Sequence, residues 1–340
     1  MTSPARSTSS ARARSSSDRG PSGNDSGAGC GMPPPSGGCC ESTIRRVAAG
    51  RGTKGPGTGV TGADAGPMTI VVGADGSVAS RAAVEWAARR AQRTGDALVL
   101  VTVVDDGWGS LGGSALVELR ATAEDRAERE VDVARRAAPE VEVRGVVAVG
   151  SPILTLAEAS RDADLVVVGT HKVGYFHGRA MGSRSLQLAA VAASPSAVVP
   201  VTSWRGRSGV AVGVSEGPDS DDAVRFAAEE AGRLGEPIVL LRAADGDEVH
   251  ERALERAAEL VGEHAPDAQV DVRSMGGDAA EALIAVSRRA VLTVTGRRVA
   301  SRGFLPLGRT NSDLLMNLAG PVVVVPQVAV EAYLVGWAVA

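Results

Sequence analysis

Short apolar runs alternate with longer amphipathic segments along residues 68–327 of the 340-residue chain. Most of these runs are continuously apolar, which is typical of strands buried on both faces of a parallel sheet. The runs of the first part of the chain lie at 69–74, 97–104, 141–149, 164–169 and 197–201. The segments between them have apolar residues at helical spacing, and they lie at 80–93, about 115–138, 152–161 and from 183 onward. The pattern predicts an α/β protein.

Two of the predicted helices have residues that are typical of a helix end. Ser151 and Pro152 predict an N-cap followed by proline at the first helical position. Arg89, Arg90 and Arg93 lie in the last turns of the helix at 80–93, where we expect their positive charge to favour the helix dipole.

The whole pattern occurs twice. The segment AVEWAA at 83–88 returns 140 positions later as AVRFAA at 223–228, and Pro195 and Pro321, each before a terminal apolar strand, are 126 positions apart. The offset between the two copies falls from 140 to 126 mainly because the loop after Asp105 is shorter in the second copy. The chain is therefore predicted to contain two copies of one domain, each a parallel sheet built from right-handed βαβ crossovers.

Composition and the repeat together predict four segments: a disordered extension at 1–67, a first domain at 68–203, a second domain at 208–327 and an apolar tail at 328–340. The extension is rich in Ser, Gly, Pro and Arg, and it cannot bury enough apolar surface to offset its ordering entropy. Met68 immediately precedes the first strand, which leaves open whether residues 1–67 are made in the cell. The tail at 328–340 either packs against its own chain or takes part in oligomerisation, and the sequence does not distinguish these two alternatives.

Charge and composition argue against several classes of function. Outside the extension the chain carries 28 basic and 36 acidic residues, and so acidic a body argues against nucleic-acid and anionic-membrane binding. Cys30, Cys39 and Cys40 all lie in the extension, so we expect neither a disulfide framework nor a zinc site. No apolar run is long enough to cross a bilayer. We expect a soluble, cytoplasmic protein without a metal site.

Three motifs carry a resemblance to a known family. Asp75-Gly-Ser77 follows the first strand, Asp164-Leu-Val-Val-Val-Gly169 forms the fourth, and Gly182-Ser183-Arg-Ser185 opens the next helix. Over about residues 68–326 the chain resembles the universal stress protein family in its tandem-domain form. The resemblance implies two doubly wound domains, each with a five-stranded parallel sheet in the order 3-2-1-4-5 flanked by helices. It also implies edge strands that pair between domains or subunits, and ATP binding through Gly-x2-Gly-x9-Gly-Ser/Thr after the fourth strand.

The residues themselves also point to a nucleotide site. Ligands of an open α/β sheet bind beyond the carboxyl ends of the strands where the strand order reverses, and the two strands at that point end at Asp75 and Gly169. Asp75 is suited to ribose hydroxyls or a bound Mg²⁺, and by resemblance the backbone near Val103 meets the adenine. A glycine-bounded loop before a helix offers free N–H groups to phosphate. The residues expected to face phosphate oxygens are Gly182, Ser183, Arg184 and Ser185.

The sequence departs from the family pattern in both copies. Lys172 stands where the second glycine of the loop belongs, and glycine allows a positive φ and close backbone approach. The lysine either adds positive charge beside the phosphates or fills the space that they need. In the second copy Ser215 replaces Asp75, and Gly308-Arg309-Thr310 replaces the Gly-Ser pair, so nucleotide binding is not expected there.

These observations favour a stress-response module of signalling or regulatory type, whose first domain binds ATP, with or without Mg²⁺, and acts on an unidentified protein partner. No Walker motif and no nucleophile elbow is present, so we predict no catalytic residue and at most slow ATP hydrolysis. A nucleotide-free scaffold that acts through protein contacts is one alternative, and a slow ATP hydrolase is another. The sequence does not decide whether the protein forms a homodimer.

Overall fold

The computed structural model describes residues 68–105, 113–171, 184–203, 205–243, 248–298 and 307–327. The ten strands of the described part are β1 Thr69–Gly73, β2 Ala97–Val104, β3 Val143–Val149, β4 Leu165–Thr170, β5 Ser196–Pro200, β6 Val210–Gly213, β7 Ile238–Ala243, β8 Val270–Met275, β9 Leu292–Arg297 and β10 Val322–Pro326. Its eight helices are α1 Val78–Thr94, α2 Gly113–Ala137, α3 Pro152–Ala159, α4 Arg184–Val191, α5 Pro218–Leu234, α6 Glu248–His264, α7 Ala279–Ser287 and α8 Arg309–Met316.

All ten strands belong to one sheet, in the order β3-β2-β1-β4-β5-β10-β9-β6-β7-β8. The first five strands have the order 3-2-1-4-5, and the last five have the same order counted from β6. Each half is parallel within itself, and β1 lies between β2 and β4. The predicted fold class, two doubly wound five-stranded units, is therefore confirmed. We call the parts β1–β5 and β6–β10, with their helices, the first and second halves.

Local sequence explains the first βα unit. β1 is apolar and its central residues are fully buried, because helices cover both faces of the sheet. α1 then begins after Ser77, whose side-chain hydroxyl accepts a hydrogen bond from the Ser80 N–H at 3.1 Å. It ends at Gly95, which has a left-handed conformation with φ of 73°. Alanines on α1 allow the helix to lie close against the sheet.

The two halves join through their edge strands. β5 and β10 pair in antiparallel fashion, and the central partners of the register are Ala197 and Val323. These residues are 126 positions apart, the same offset as Pro195 and Pro321. Equivalent residues therefore face each other at the centre of the junction, as they do at an isologous twofold interface. This confirms the edge-strand pairing that the family resemblance predicted.

A buried ionic cluster links α1 and α5 beside this junction. Arg90 is 4% exposed, and it donates hydrogen bonds to Asp96 at 2.6 Å and to Glu230 at 2.8 Å. Glu230 lies 140 positions after Arg90, so it is the equivalent residue of the second half. Arg90 was expected to act on the dipole of its own helix, but its guanidinium instead bridges the two halves.

Several sequence predictions lie outside the described residues, namely those on the extension at 1–67, on the loop after Asp105 and on the tail at 328–340. The boundaries proposed for the four segments stay predictions. Within the described part of the chain, no helix is both long and apolar enough to cross a membrane.

Candidate nucleotide site

A cavity of about 780 Å³ opens at the carboxyl ends of β1, β2 and β4. β1 lies between β2 and β4, so the cavity stands where the strand order of the first half reverses. One wall is polar and includes Asp75, Ser77 and Ser80. The apolar lining comes from Val101, Val103, Ile153, Leu156 and Val168. The lining is therefore suited to a ligand with one flat apolar part and one polar part.

Asp75 lines the polar wall of this cavity. Its carboxylate accepts a hydrogen bond from the Ser77 N–H at 2.9 Å. Partial burial opposes ionisation, but hydrogen bonds from Ser77 and Ser80 and the positive charge of Arg126 outweigh it, so the pKa of Asp75 lies below its ordinary value. The side chain is a stable anion at neutral pH, and it can accept hydrogen bonds from hydroxyl groups or contribute to a cation site.

Arg126 also lines the cavity, and the sequence did not single it out. It comes from the middle of α2, and a Cβ added at Gly76 would lie 3.0 Å from its Cδ, so its aliphatic stem packs against the turn that carries Asp75. Arg126 belongs to no local motif. Only the packing of α2 against the first βα unit brings it to the site.

Gly169 lines the cavity at the end of β4, but its lack of a side chain has a separate cause. A Cβ atom there would overlap the carbonyl of Ala79 in α1. Gly296, the equivalent residue of the second half, faces the carbonyl of Asp219 in the same way. In both halves this glycine is required by the close approach of helix and strand, and it is not in itself evidence of a ligand.

The N-terminus of α4 forms another part of the cavity lining. Arg184 and Ser185, both predicted as phosphate ligands, lie there and line the cavity. Arg184 is exposed and forms an ion pair with Asp105 at 3.4 Å, while Ser185 is buried. Lys172, Gly182 and Ser183 lie outside the described residues, so their assignment to the phosphate loop stays a prediction. Val103 lies where the adenine contact was predicted, on β2.

The described lining of this cavity includes one histidine and no cysteine. His171 lines it and is exposed. Across the described ranges, no group of three or more His, Cys, Asp and Glu side chains is arranged to hold a metal ion. The arrangement can bind and orient a ligand.

The second half has a cavity of about 650 Å³ at the equivalent place. Ser215 stands at the position of Asp75, and Thr295 at that of Val168. Arginines line it where the first cavity has other residues, and they are Arg242, Arg297, Arg298 and Arg309. The two cavities therefore differ in their chemistry although they occupy equivalent places in the fold.

Comparisons with known proteins agree with the fold. Residues 67–200 match the model of the universal stress protein family. A universal stress protein of Mycobacterium tuberculosis is 35% identical over 198 residues, and the match covers 52% of this chain and 62% of that protein. The chain thus spans less than two thirds of that relative. A universal stress protein of Mycolicibacterium smegmatis is 29% identical over 286 residues, which cover 75% of this chain and 96% of the relative.

Among solved structures, a universal stress protein from Archaeoglobus fulgidus has the same fold. It covers 76% of this chain and 96% of its own length, with a TM-score of 0.64 and 17% sequence identity. A match of this length includes both halves of the ten-stranded sheet.

Proposed function

Because residues 67–200 match the universal stress protein family, we propose that the first half binds ATP and that the protein is a stress-response module of signalling or regulatory type. One observation carries the proposal. An ionised carboxylate, an apolar lining and a helix N-terminus surround a single cavity at the switch point of the sheet. A nucleotide has a ribose, a base and phosphates, and each of these walls suits one of them.

The placement of the nucleotide follows from the three walls. The Asp75 carboxylate accepts hydrogen bonds from the ribose hydroxyls. The adenine lies along the apolar lining and meets the backbone at Val103. The phosphates lie at the N-terminus of α4, where the first N–H groups of a helix have no partner within it. Arg184 and Ser185 stand at that end of the cavity, and Lys172, Gly182 and Ser183 belong to the same proposed loop.

Mg²⁺ would be held by the phosphates together with few protein ligands, as is usual for this ion. Asp75, whose carboxylate lies at the polar wall of the cavity, would be such a ligand. When bound, Mg²⁺ would neutralise part of the phosphate charge. The chain's own residues bind and orient the nucleotide, and we propose no catalytic residue.

Calorimetric titration of the full chain with ATP and Mg²⁺ tests the proposal. We expect saturable binding at one site. Asp75→Ala should weaken it about tenfold or more, because hydrogen bonds to a charged group contribute about 1.5–3 kcal/mol. The matched control is Ser215→Ala, at the equivalent position of the second half, and it should leave the affinity unchanged. Equal losses in both variants, or no loss in Asp75→Ala, would contradict the placement.

The nucleotide-free scaffold remains the alternative, and Lys172→Gly distinguishes it. If the natural chain binds no ATP and this substitution creates binding, the lysine fills the phosphate site and the protein acts through its surfaces. If the natural chain binds ATP and the substitution changes the affinity only modestly, the lysine is compatible with the nucleotide. A slow hydrolase would instead release phosphate at a rate that Asp75→Ala abolishes.

A further inference from the structure

The cavity of the second half has an excess of positive charge. It lies at the ends of β6, β7 and β9, and among the described residues of its lining four arginines are accompanied by one carboxylate, that of Asp219. In the first half the equivalent lining holds Asp75 and Asp105 against Arg126 and Arg184. Among the described residues, the second cavity therefore has a greater excess of positive charge than the first.

Arg297 is a buried cation. It is 7% exposed, and within the described ranges it has no carboxylate within ion-pair distance. Its guanidinium donates one hydrogen bond, to the Ala192 carbonyl at 2.7 Å, and its Nε has no partner among the described residues. Burial lowers the pKa of Arg297. An unpaired buried charge is costly, so the charge and the free donor call for an anion that the described protein groups do not supply.

Arg242 adds a second buried guanidinium, also 7% exposed. It donates to the Val214 carbonyl at 3.3 Å and to Glu216 at 2.7 Å, and its Nε has no partner in the described part of the chain. The equivalent residue of the first half is Thr102, whose hydroxyl donates to the Ala74 carbonyl at 2.8 Å. A threonine thus satisfies the same carbonyl, and the fold itself does not require an arginine at this position.

The remaining walls are consistent with an anion. α8 begins after Gly308, which has no side chain to cap the helix, so the first N–H groups of that helix have no side-chain acceptor at the N-cap. The buried Thr295 hydroxyl has no partner among the described residues. Arg298 lies 3.7 Å from Asp219, and Arg309 lies 3.4 Å from Asp313 and 3.8 Å from Asp278. These carboxylates offset the two exposed arginines and leave the buried Arg297 without one.

We propose that the second cavity binds a phosphate-bearing small molecule through Arg242, Arg297 and the N-terminus of α8. Planar guanidinium groups and free helix N–H groups both suit phosphate oxygens. Leu283 and Leu307 offer an apolar wall to the organic part of the ligand. Ser215 provides no carboxylate for ribose hydroxyls, so this site selects by phosphate rather than by nucleoside. The proposal is independent of ATP binding by the first half.

Calorimetric titration of the full chain with inorganic pyrophosphate tests it, with sodium sulfate at equal ionic strength as the reference for non-specific attraction. We expect saturable pyrophosphate binding that Arg297→Gln and Arg242→Thr each weaken about tenfold or more. Arg242→Thr installs the residue type that the first half uses at the equivalent position, so this variant should not unfold the protein. The control is Arg184→Gln in the first cavity, which should leave this site unchanged.

Three results would overturn the proposal. The first is no pyrophosphate binding at millimolar concentration. The second is binding that Arg242→Thr and Arg297→Gln both leave unchanged. The third is binding that only Arg184→Gln weakens, which would place the anion in the first cavity. ATP binding beside Asp75 is tested separately, by the ATP titration of Asp75→Ala.

Discussion

At Gly169 and Gly296 an added Cβ would overlap a helix carbonyl, that of Ala79 in one half and of Asp219 in the other. The two glycines therefore have the same packing role, although only the first half has the proposed nucleotide site. A glycine at this position belongs to the family pattern for phosphate binding, but its physical cause is the contact between helix and strand.

We expect Gly169→Ala and Gly296→Ala to destabilise the protein by similar amounts, about 1–3 kcal/mol each, because an extra methyl group in a closely packed contact forces backbone shifts. Denaturant unfolding of the full chain measures both. A large loss for Gly169→Ala with no loss for Gly296→Ala would show that packing is not the shared cause.

Arg126 and Asp75 are coupled through charge. Burial opposes ionisation of Asp75, while its hydrogen bonds and Arg126 lower the pKa of the carboxylate. We expect Arg126→Gln to raise the pKa of Asp75 towards its ordinary value of about 3.9. Carboxyl-carbon NMR of the full chain measures the change, and Arg120→Gln is the matched control, because Arg120 is on the same helix but pairs with Glu124. An unchanged pKa in Arg126→Gln would contradict the coupling.

The lowered pKa of Asp75 also makes the stability of the fold depend on pH. The folded protein binds the Asp75 proton more weakly than the unfolded chain does, so the ionised carboxylate stabilises the fold above about pH 3.9. That contribution decreases as the pH falls towards the lower folded-state pKa. Between pH 5 and 8 Asp75 stays ionised, and nucleotide binding should not vary on its account.

Among the elements, α1 and α3 differ in how they begin. Ser77 accepts a hydrogen bond from the third residue of α1, whereas Ser151 stands at the N-cap position of α3 but its hydroxyl makes no capping hydrogen bond. The sequence predicted an N-cap at Ser151, and the position is confirmed. Which hydroxyl makes a bond depends on side-chain rotamer, which a local pattern does not encode.

Ser77→Ala should cost about 1 kcal/mol of unfolding free energy, the usual value for a lost N-cap hydrogen bond. Ser151→Ala should cost markedly less. Thermal and denaturant unfolding of the two variants measure the difference. Equal costs would mean that the hydroxyl of Ser77 is not the stabilising group.

The strands were the most predictable elements, because a buried parallel strand requires a short apolar run and the chain has one at each place. The bounds of β1, β2 and β5 agree with the predicted runs within one residue. β3 begins later than predicted, at Val143. The contribution of α2 to the cavity could not be predicted, since no local signal distinguishes Arg126 from the other charged residues of that helix.

At the scale of the whole molecule, the repeat and the family resemblance together predicted the strand order and the pairing of the edge strands. They did not predict the ionic cluster at the junction. Arg90 and Glu230 are equivalent residues of opposite charge, so the pair exists only because the two halves have diverged. An association of two identical first halves would place two arginines there instead.

Arg90→Glu should destabilise the full chain by about 3–5 kcal/mol, because it adds a buried carboxylate beside Glu230 and Asp96 and, among the described residues, leaves only Arg233, 3.8 Å from Asp96, to offset them. The double variant Arg90→Glu with Glu230→Arg should recover much of the loss. Glu236 is the residue equivalent to Asp96, so a guanidinium at position 230 would find a carboxylate in its own half as Arg90 does now. Denaturant unfolding of the natural chain, both single variants and the double variant measures the coupling. A double variant no more stable than the worse single variant would contradict a charge-matched junction.

The central claim is that the two halves share a fold but bind different ligands, with ATP held only by the first. The most direct test is a crystal structure of the full chain grown with ATP and Mg²⁺. We predict the ribose within hydrogen-bond distance of Asp75 and the phosphates at the N-terminus of α4. ATP bound in the arginine-lined second cavity alone, or absent from the first at saturating concentration, would contradict the account.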